Sequence, residues 1–291
     1  MSTYKTSFDQ LRLHPGMSDL LHALERGFTR FSIDYYLIGA ISRDVWMRAL
    51  NNIAPRRATR DIDFAVFIKD KGIYEQLKEY LVAQEGFAPY HGNAFVLLWK
   101  DGSQVDLLPF GAIEDEGRQV TVQGTGYNSI HVDGIREVYE QPLPDLVLEG
   151  EHYFKFTTLP GLVLLKLIAW DDRPEARRDD IKDISDILKH FFYMYSDTIY
   201  DEHIDLFGEE RPEQDAATEL LMVAARVMGR ELKKIVKVNT SLQERIGRIL
   251  DENAKKSGRM APIMVEYFDN TIEDNVELIL AIKDGFNEKS T

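Results

Sequence analysis

Residues 35–68 read YYLIGAISRDVWMRALNNIAPRRATRDIDFAVFI. An apolar strand over 35–38 meets Gly39. A helical run over 41–50 follows, then a basic loop with Arg56, Arg57 and Arg60, then a second strand over 61–68. Successive strand side chains point to opposite faces, so Asp61 and Asp63 share one face. Ile62, Phe64, Val66 and Ile68 line the other face as an apolar row for a core. Two carboxylates so placed repel each other and call for a cation or for water. A divalent ion carrying a polyphosphate answers that need, because Mg²⁺ takes one or two carboxylates together with phosphate oxygens. A basic loop in isolation reads as solvated surface; next to such a site, the arginines suit phosphate.

The rest of the chain sets the bounds. Its 291 residues allow one large domain or two ordinary ones, with a core large enough to need no staple. There is no cysteine, which excludes disulfides, thiolate catalysis and cysteine-based zinc sites, and fits a cytoplasmic protein. The first residues show no charged head followed by an apolar run, and apolar runs fall far short of the ~20 residues of a membrane helix. A net charge of −14 disfavours loose binding to nucleic acid or anionic membrane.

Apolar residues at helical spacing predict helices over 17–31 and 74–81, the latter broken by Gly86 and Pro89. A strand over 94–99, the turn signal Asp101-Gly102 and a return strand over 104–110 follow. Asp106 is an acid inside that apolar strand. Alone it is as readily a solvated strand-end acid as a ligand. With Asp61 and Asp63 in the same sheet, the reading is three carboxylates at one site. Short strands and turns fill 111–150, and one more strand covers 151–158. Beyond this the pattern is helical, over 160–170, 180–192 and three or four segments within 216–286, with a charged connector at 171–178 and an acidic loop at 201–215. The expectation is an α+β chain: residues 1–158 a sheet domain with flanking helices, residues 159–291 a helical domain.

Two features of the helical half carry chemistry. Lys166 stands in LPGLVLLKLIAW, where nearly every neighbour is apolar, so it either snorkels to water or is held by an anion. Asp180, Asp183 and Asp186 recur every third residue on one helix face. Such a row asks for a cation, which Lys182, four residues before Asp186, or Lys166 can supply; taken alone, it is a solvated face.

Gly39-Ala40-Ile41-Ser42-Arg43-Asp44 followed by Asp61-Ile62-Asp63 resembles the head of the DNA polymerase β-type nucleotidyltransferase superfamily. Its Gly-x-x-x-Arg-Asp opening is similar to that of tRNA CCA-adding enzymes and poly(A) polymerases. Arg57-Ala58-Thr59-Arg60-Asp61-Ile62-Asp63, Leu165-Lys166-Leu167-Ile168-Ala169 and Lys182-Asp183-Ile184-Ser185-Asp186 extend the match. The fuller set resembles the AbiEii/AbiGii-type nucleotidyltransferases, which include toxins of bacterial toxin–antitoxin and abortive-infection systems. The likeness covers roughly residues 30–190.

The resemblance implies a nucleotidyltransferase-type mixed sheet, with the helical domain closing over its acids. It implies Mg²⁺ or Mn²⁺ on Asp61, Asp63 and Asp106, and an NTP cradled by Gly39, Ala40, Ser42, Arg43 and Arg60. A nucleoside monophosphate would pass to an acceptor hydroxyl on an RNA or tRNA end, a protein or a small molecule. Lys166 would meet triphosphate charge, Asp183 would orient Lys166, and an antitoxin protein would be a partner. The sequence departs from the family at Gly39-Ala40, where Gly-Ser or Gly-Gly is usual; Ser42 is the candidate substitute. The alternative reading is a catalytically inactive nucleotide-binding or interaction protein of the same fold.

Overall fold

The computed structural model describes residues 2–14, 16–54, 61–207 and 215–288. The chain divides into two compact units, Met1–Thr158 and Leu159–Thr291.

The first unit is built on an eight-stranded mixed sheet. Its strands begin with β1 (Thr3–Thr6), β2 (Asp34–Ile38), β3 (Ile62–Ile68), β4 (Ala88–Pro89), β5 (Val96–Leu98) and β6 (Gln104–Gly111). β7 (Gln119–Thr121) and β8 (Ser129–His131) form a separate antiparallel pair. β9 (Asp145–Leu148) and β10 (His152–Phe156) return to the main sheet, whose order is β1-β9-β10-β2-β3-β6-β5-β4. β3 is antiparallel to β2 and parallel to β6. The helices are α1 (Phe8–Leu11), α2 (Met17–Arg30), α3 (Gly39–Asp44), α4 (Lys71–Tyr80) and α5 (Ile135–Tyr139). α3 and α4 run on into π-helical turns, Val45–Leu50 and Leu81–Glu85.

β3 sorts its residues as a period of two demands. Ile62, Phe64, Val66 and Ile68 are all at most 2% exposed. α2 covers this face through Phe28, whose ring lies 4.2 Å from Tyr35 and 6.0 Å from Phe64. α4 covers it through Tyr74, whose hydroxyl donates to the Leu107 carbonyl at 2.8 Å. On the opposite face α5 covers the far end of β3 and β6, with Tyr139 stacked on Phe67 at 5.6 Å and Tyr36 donating to the Ile135 carbonyl at 2.7 Å.

The second unit is helical: α6 (Leu159–Asp172), α7 (Arg178–Met194), α8 (Ser196–Glu202), α9 (Ala216–Val236), α10 (Thr240–Asn253), α11 (Met260–Phe268) and α12 (Ile272–Asn287). Two glycines let α9 and α12 touch backbone to backbone. A Cβ on Gly229 would lie 1.9 Å from the Ile282 carbonyl oxygen, and one on Gly285 would lie 2.0 Å from that of Arg226. Asp215 caps α9, and Thr271 with Asp274 forms a capping box on α12.

The architecture is α+β, a mixed sheet with flanking helices followed by a helical region. Differences from expectation lie at element ends, where periodicity says least. The strand expected from residue 61 begins at Ile62, and the helix expected over 41–50 begins at Gly39 and loosens into a π turn. The connector over 171–178 is shorter than expected, because α6 extends to Asp172 and α7 begins at Arg178. The acidic stretch after residue 201 is partly structured, by the end of α8 and a 3₁₀ turn at Ile204–Leu206. β1, too short for a periodic pattern, is recruited by parallel pairing with β9. Among the described residues, no helix is long and apolar enough to cross a membrane.

Candidate functional site

β2 ends, and β3 and β6 begin, at the same edge of the sheet. The antiparallel β2–β3 register sets Ile38 beside Asp63, and the parallel β3–β6 register sets Asp63 beside Asp106. Paired residues on neighbouring strands share a face about 4.8 Å apart, so the two carboxylates stand side by side. Both are half-buried, and Asp61 is exposed, just before the strand. Asp61, Asp63 and Asp106 do not draw their oxygens together within 4.8 Å as two other groups among the described residues do. Asp63 and Asp106 are register partners, and Asp61 stands just before the strand.

Gly39 closes the edge. It follows β2 directly and has φ +69°, a left-handed conformation open to glycine. A Cβ there would lie 2.1 Å from Oδ2 of Asp63. The bare backbone of Gly39 is thus what lets the Asp63 carboxylate occupy its place. Behind β6, burial, then the charges of Glu75 and Asp106, hold the Tyr74 phenol well above its ordinary pKa, so it stays neutral.

The remaining residues of the motif fare differently. Ala40 is half-buried beside Gly39 in the first turn of α3. Ser42 and Arg43, expected at a phosphate, are instead 0% and 1% exposed. The Ser42 hydroxyl donates to the Thr157 carbonyl at 3.2 Å. Arg43 donates through Nε and Nη2 to Oδ1 of Asp44, at 2.9 and 2.7 Å. Their helix turns both inward. Arg56, Arg57 and Arg60 lie outside the described residues.

Oxygen donors on one sheet face, with a neighbouring turn of bare backbone, fit a hard divalent ion of the Mg²⁺ or Mn²⁺ type. Asp63 and Asp106 are the residues that could hold it, with Asp61 just before the strand.

The second unit carries its own charged cluster. Lys166 of α6 is only 8% exposed, and its ammonium donates to Asp183 at 2.7 Å and to Asp180 at 3.0 Å. The apolar flanks of α6 leave the lysine no route to solvent, and two acids three residues apart on α7 meet it. Asp186 belongs elsewhere, accepting from the Tyr267 hydroxyl. Lys182, expected to answer Asp186, faces Asp179 at 3.6 Å and Glu266 at 3.4 Å, because it points away from the buried stripe of α7.

Sequence reasoning passed over the trio His22, Glu25 and His152, whose ligand atoms lie within 4.8 Å of one another. His22 and Glu25 are three residues apart on α2, the only local signal; His152 arrives through the fold.

No family model matches the chain, and no curated protein matches it. Among solved structures the chain is similar to the antibiotic-resistance factor ANT(2'')-Ia, an aminoglycoside nucleotidyltransferase, at 11% identity and a TM-score of 0.36, over 81% of this chain and 96% of that one.

Proposed function

We propose that this chain is a metal-dependent nucleotidyltransferase of the AbiEii/AbiGii type, moving a nucleoside monophosphate from an NTP to an acceptor hydroxyl. The observation that carries the reading is the in-register pair Asp63–Asp106 beside Gly39, where an added Cβ would strike the Asp63 carboxylate. Two like charges in neighbouring register repel each other, and a divalent cation relieves that repulsion, which supports a function that uses one.

In this reading Asp61, Asp63 and Asp106 hold Mg²⁺ or Mn²⁺, which when bound neutralises triphosphate charge and stabilises the entering and leaving oxygens. The residues of the chain orient that chemistry. Asp63 is fixed by the β2–β3–β6 register and by contact with Gly39. Asp106, its register partner on β6, would help take the proton of the attacking hydroxyl, directly or through an ion. Gly39 and Ala40 offer backbone to phosphate without a side chain in the way. Lys166 takes the charge of the triphosphate, and its 2.7 Å bond to Asp183 supports the part in which Asp183 orients it. The acceptor is an RNA or tRNA end, a protein or a small molecule, and a toxin role would bring an antitoxin protein as partner.

The inward-facing Ser42 and Arg43 favour, as a second reading, a binding protein of the same fold with a reduced phosphate cradle. One assay separates the two. The protein is incubated with each labelled NTP, Mg²⁺ or Mn²⁺, and total RNA or lysate. Label transfer and pyrophosphate release that vanish in Asp63→Ala and Asp106→Asn support the enzyme. Nucleotide binding without pyrophosphate release supports the binding protein.

A further inference from the structure

We propose that His22, Glu25 and His152 form a second metal site, for a zinc-type divalent ion, on the first unit and apart from the Asp63–Asp106 edge. His22 and Glu25 sit on α2, and His152 opens β10. His22 Nδ1 lies 3.3 Å from Oε2 of Glu25, and His152 Nδ1 lies 3.0 Å from Oε1 of the same carboxylate. The two rings face each other with centroids 4.4 Å apart. Zinc bonds to nitrogen and oxygen are about 2.0–2.1 Å, which puts neighbouring ligands of a tetrahedral ion about 3.3 Å apart. The Glu25 carboxylate thus stands near that spacing from each ring nitrogen, all three ligand atoms lie within 4.8 Å of one another, and water would fill the fourth corner.

The opposite edges of both rings are also served. His22 Nε2 lies 3.7 Å and His152 Nε2 lies 3.5 Å from Oε1 of Glu151. The Ser18 hydroxyl donates to that oxygen at 2.8 Å and lies 3.0 Å from His152 Nε2. A ligating histidine commonly donates its second N–H to a carboxylate, which fixes its tautomer and strengthens its bond to the ion. Here Ser18 meets the second nitrogen of His152, and Glu151 accepts from Ser18 and lies within ion-pair reach of both rings. His152 has no side-chain exposure while the His22 side chain is 41% exposed, so the site is anchored on one side and reachable from the other.

Nitrogen-rich donors favour ions of the zinc group over Mg²⁺, which is what separates this site from the carboxylate pair. The other His-acid trio, Glu202–His203–Glu231, lacks this fitness. Arg230 comes within 3.2 Å of His203 Nδ1 and Lys234 within 2.6 Å of Glu231, so cations already occupy its acceptors.

The test uses the full chain without a histidine tag, in excess Mg²⁺, titrated with Co²⁺ as a spectroscopic probe and with Zn²⁺ by calorimetry. The expected result is one ion per chain, with the intense visible Co²⁺ bands of four-coordination displaced by Zn²⁺. His22→Ala and Glu25→Gln each weaken binding by at least ~10-fold, a floor taken from the loss of an outer hydrogen bond to a ligand. Asp63→Ala leaves it unchanged. Lack of stoichiometric binding, unaltered affinity in folded His22→Ala or Glu25→Gln protein, or loss of binding in Asp63→Ala would each overturn the proposal. The metal readout is independent of nucleotide transfer, so either proposal can fail alone.

Discussion

The two charged clusters that stand out in the sequence end in opposite situations. In the first unit, strand register sets Asp63 beside Asp106, acid against acid. In the second, Lys166 is buried between Asp180 and Asp183, so the acids of α7 receive a cation from α6 of the same unit. The first arrangement sets like charges side by side; the second sets a cation between them. Acid spacing alone does not tell these apart, since both sets recur on one face of their element. What differs is the identity of the residue the fold brings across.

The largest effect that sharpens the contrast is on chemistry. Asp63→Ala should lower nucleotide transfer by about 10³-fold or more, several kcal/mol of lost transition-state stabilisation. Its melting temperature in chelator should hold level or rise, because a like-charge neighbour is gone. A parallel fall in activity and in melting temperature would make Asp63 a structural residue and break the contrast.

Lys166→Ala should behave in the reverse way. Removing the cation leaves two buried acids facing each other and should cost about 3–5 kcal/mol, read as an earlier urea transition. An unchanged transition would show that Lys166 does not neutralise those acids and would leave the lysine to the functional reading alone.

Gly39→Ala should cost about 1–2 kcal/mol from the left-handed backbone. Its Cβ, 2.1 Å from Oδ2 of Asp63, should displace that carboxylate, so activity should fall further than stability. Equal losses in a transfer assay and a melt would mean that the position serves the turn and not the acid.

The smallest effect comes from a pair with one exposed member, the Arg26 side chain being 57% exposed and that of Glu85 8%, the reference against which the buried cluster is judged. The Arg26 guanidinium, bonded to Glu85, holds its carboxyl below the usual range. A lowered folded pKa gives stability that is present above the unfolded pKa and is lost as pH falls through the folded one. Glu85→Gln should therefore cost under about 1 kcal/mol at neutral pH after solvent screening, and nothing in acid. Melts at both pH values check it; a loss as large as that of Lys166→Ala would erase the distinction between a fully buried cluster and a pair open to solvent on one side.

The sequence alone determined what local periodicity encodes. A period of two along residues 61–68 separates Asp61 and Asp63 from the row Ile62, Phe64, Val66 and Ile68, and those four are buried. Apolar spacing announces α2, and the apolar flanks of Lys166 require that it be held by an anion if buried, as it is by Asp183 and Asp180. Only the tertiary structure decided which distant residues meet. The β3–β6 register, 43 positions apart at Asp63 and Asp106, depends on how both strands seat their apolar rows on α2 and α4. The inward turn of Ser42 and Arg43 depends on how α3 settles against its neighbours. His152 comes to Glu25 across 127 positions because β10 lies beside β2 and begins against α2. Side-chain direction within an element follows from backbone geometry and is written locally. The partner across a gap follows from packing of the whole core, to which no single stretch of sequence gives access.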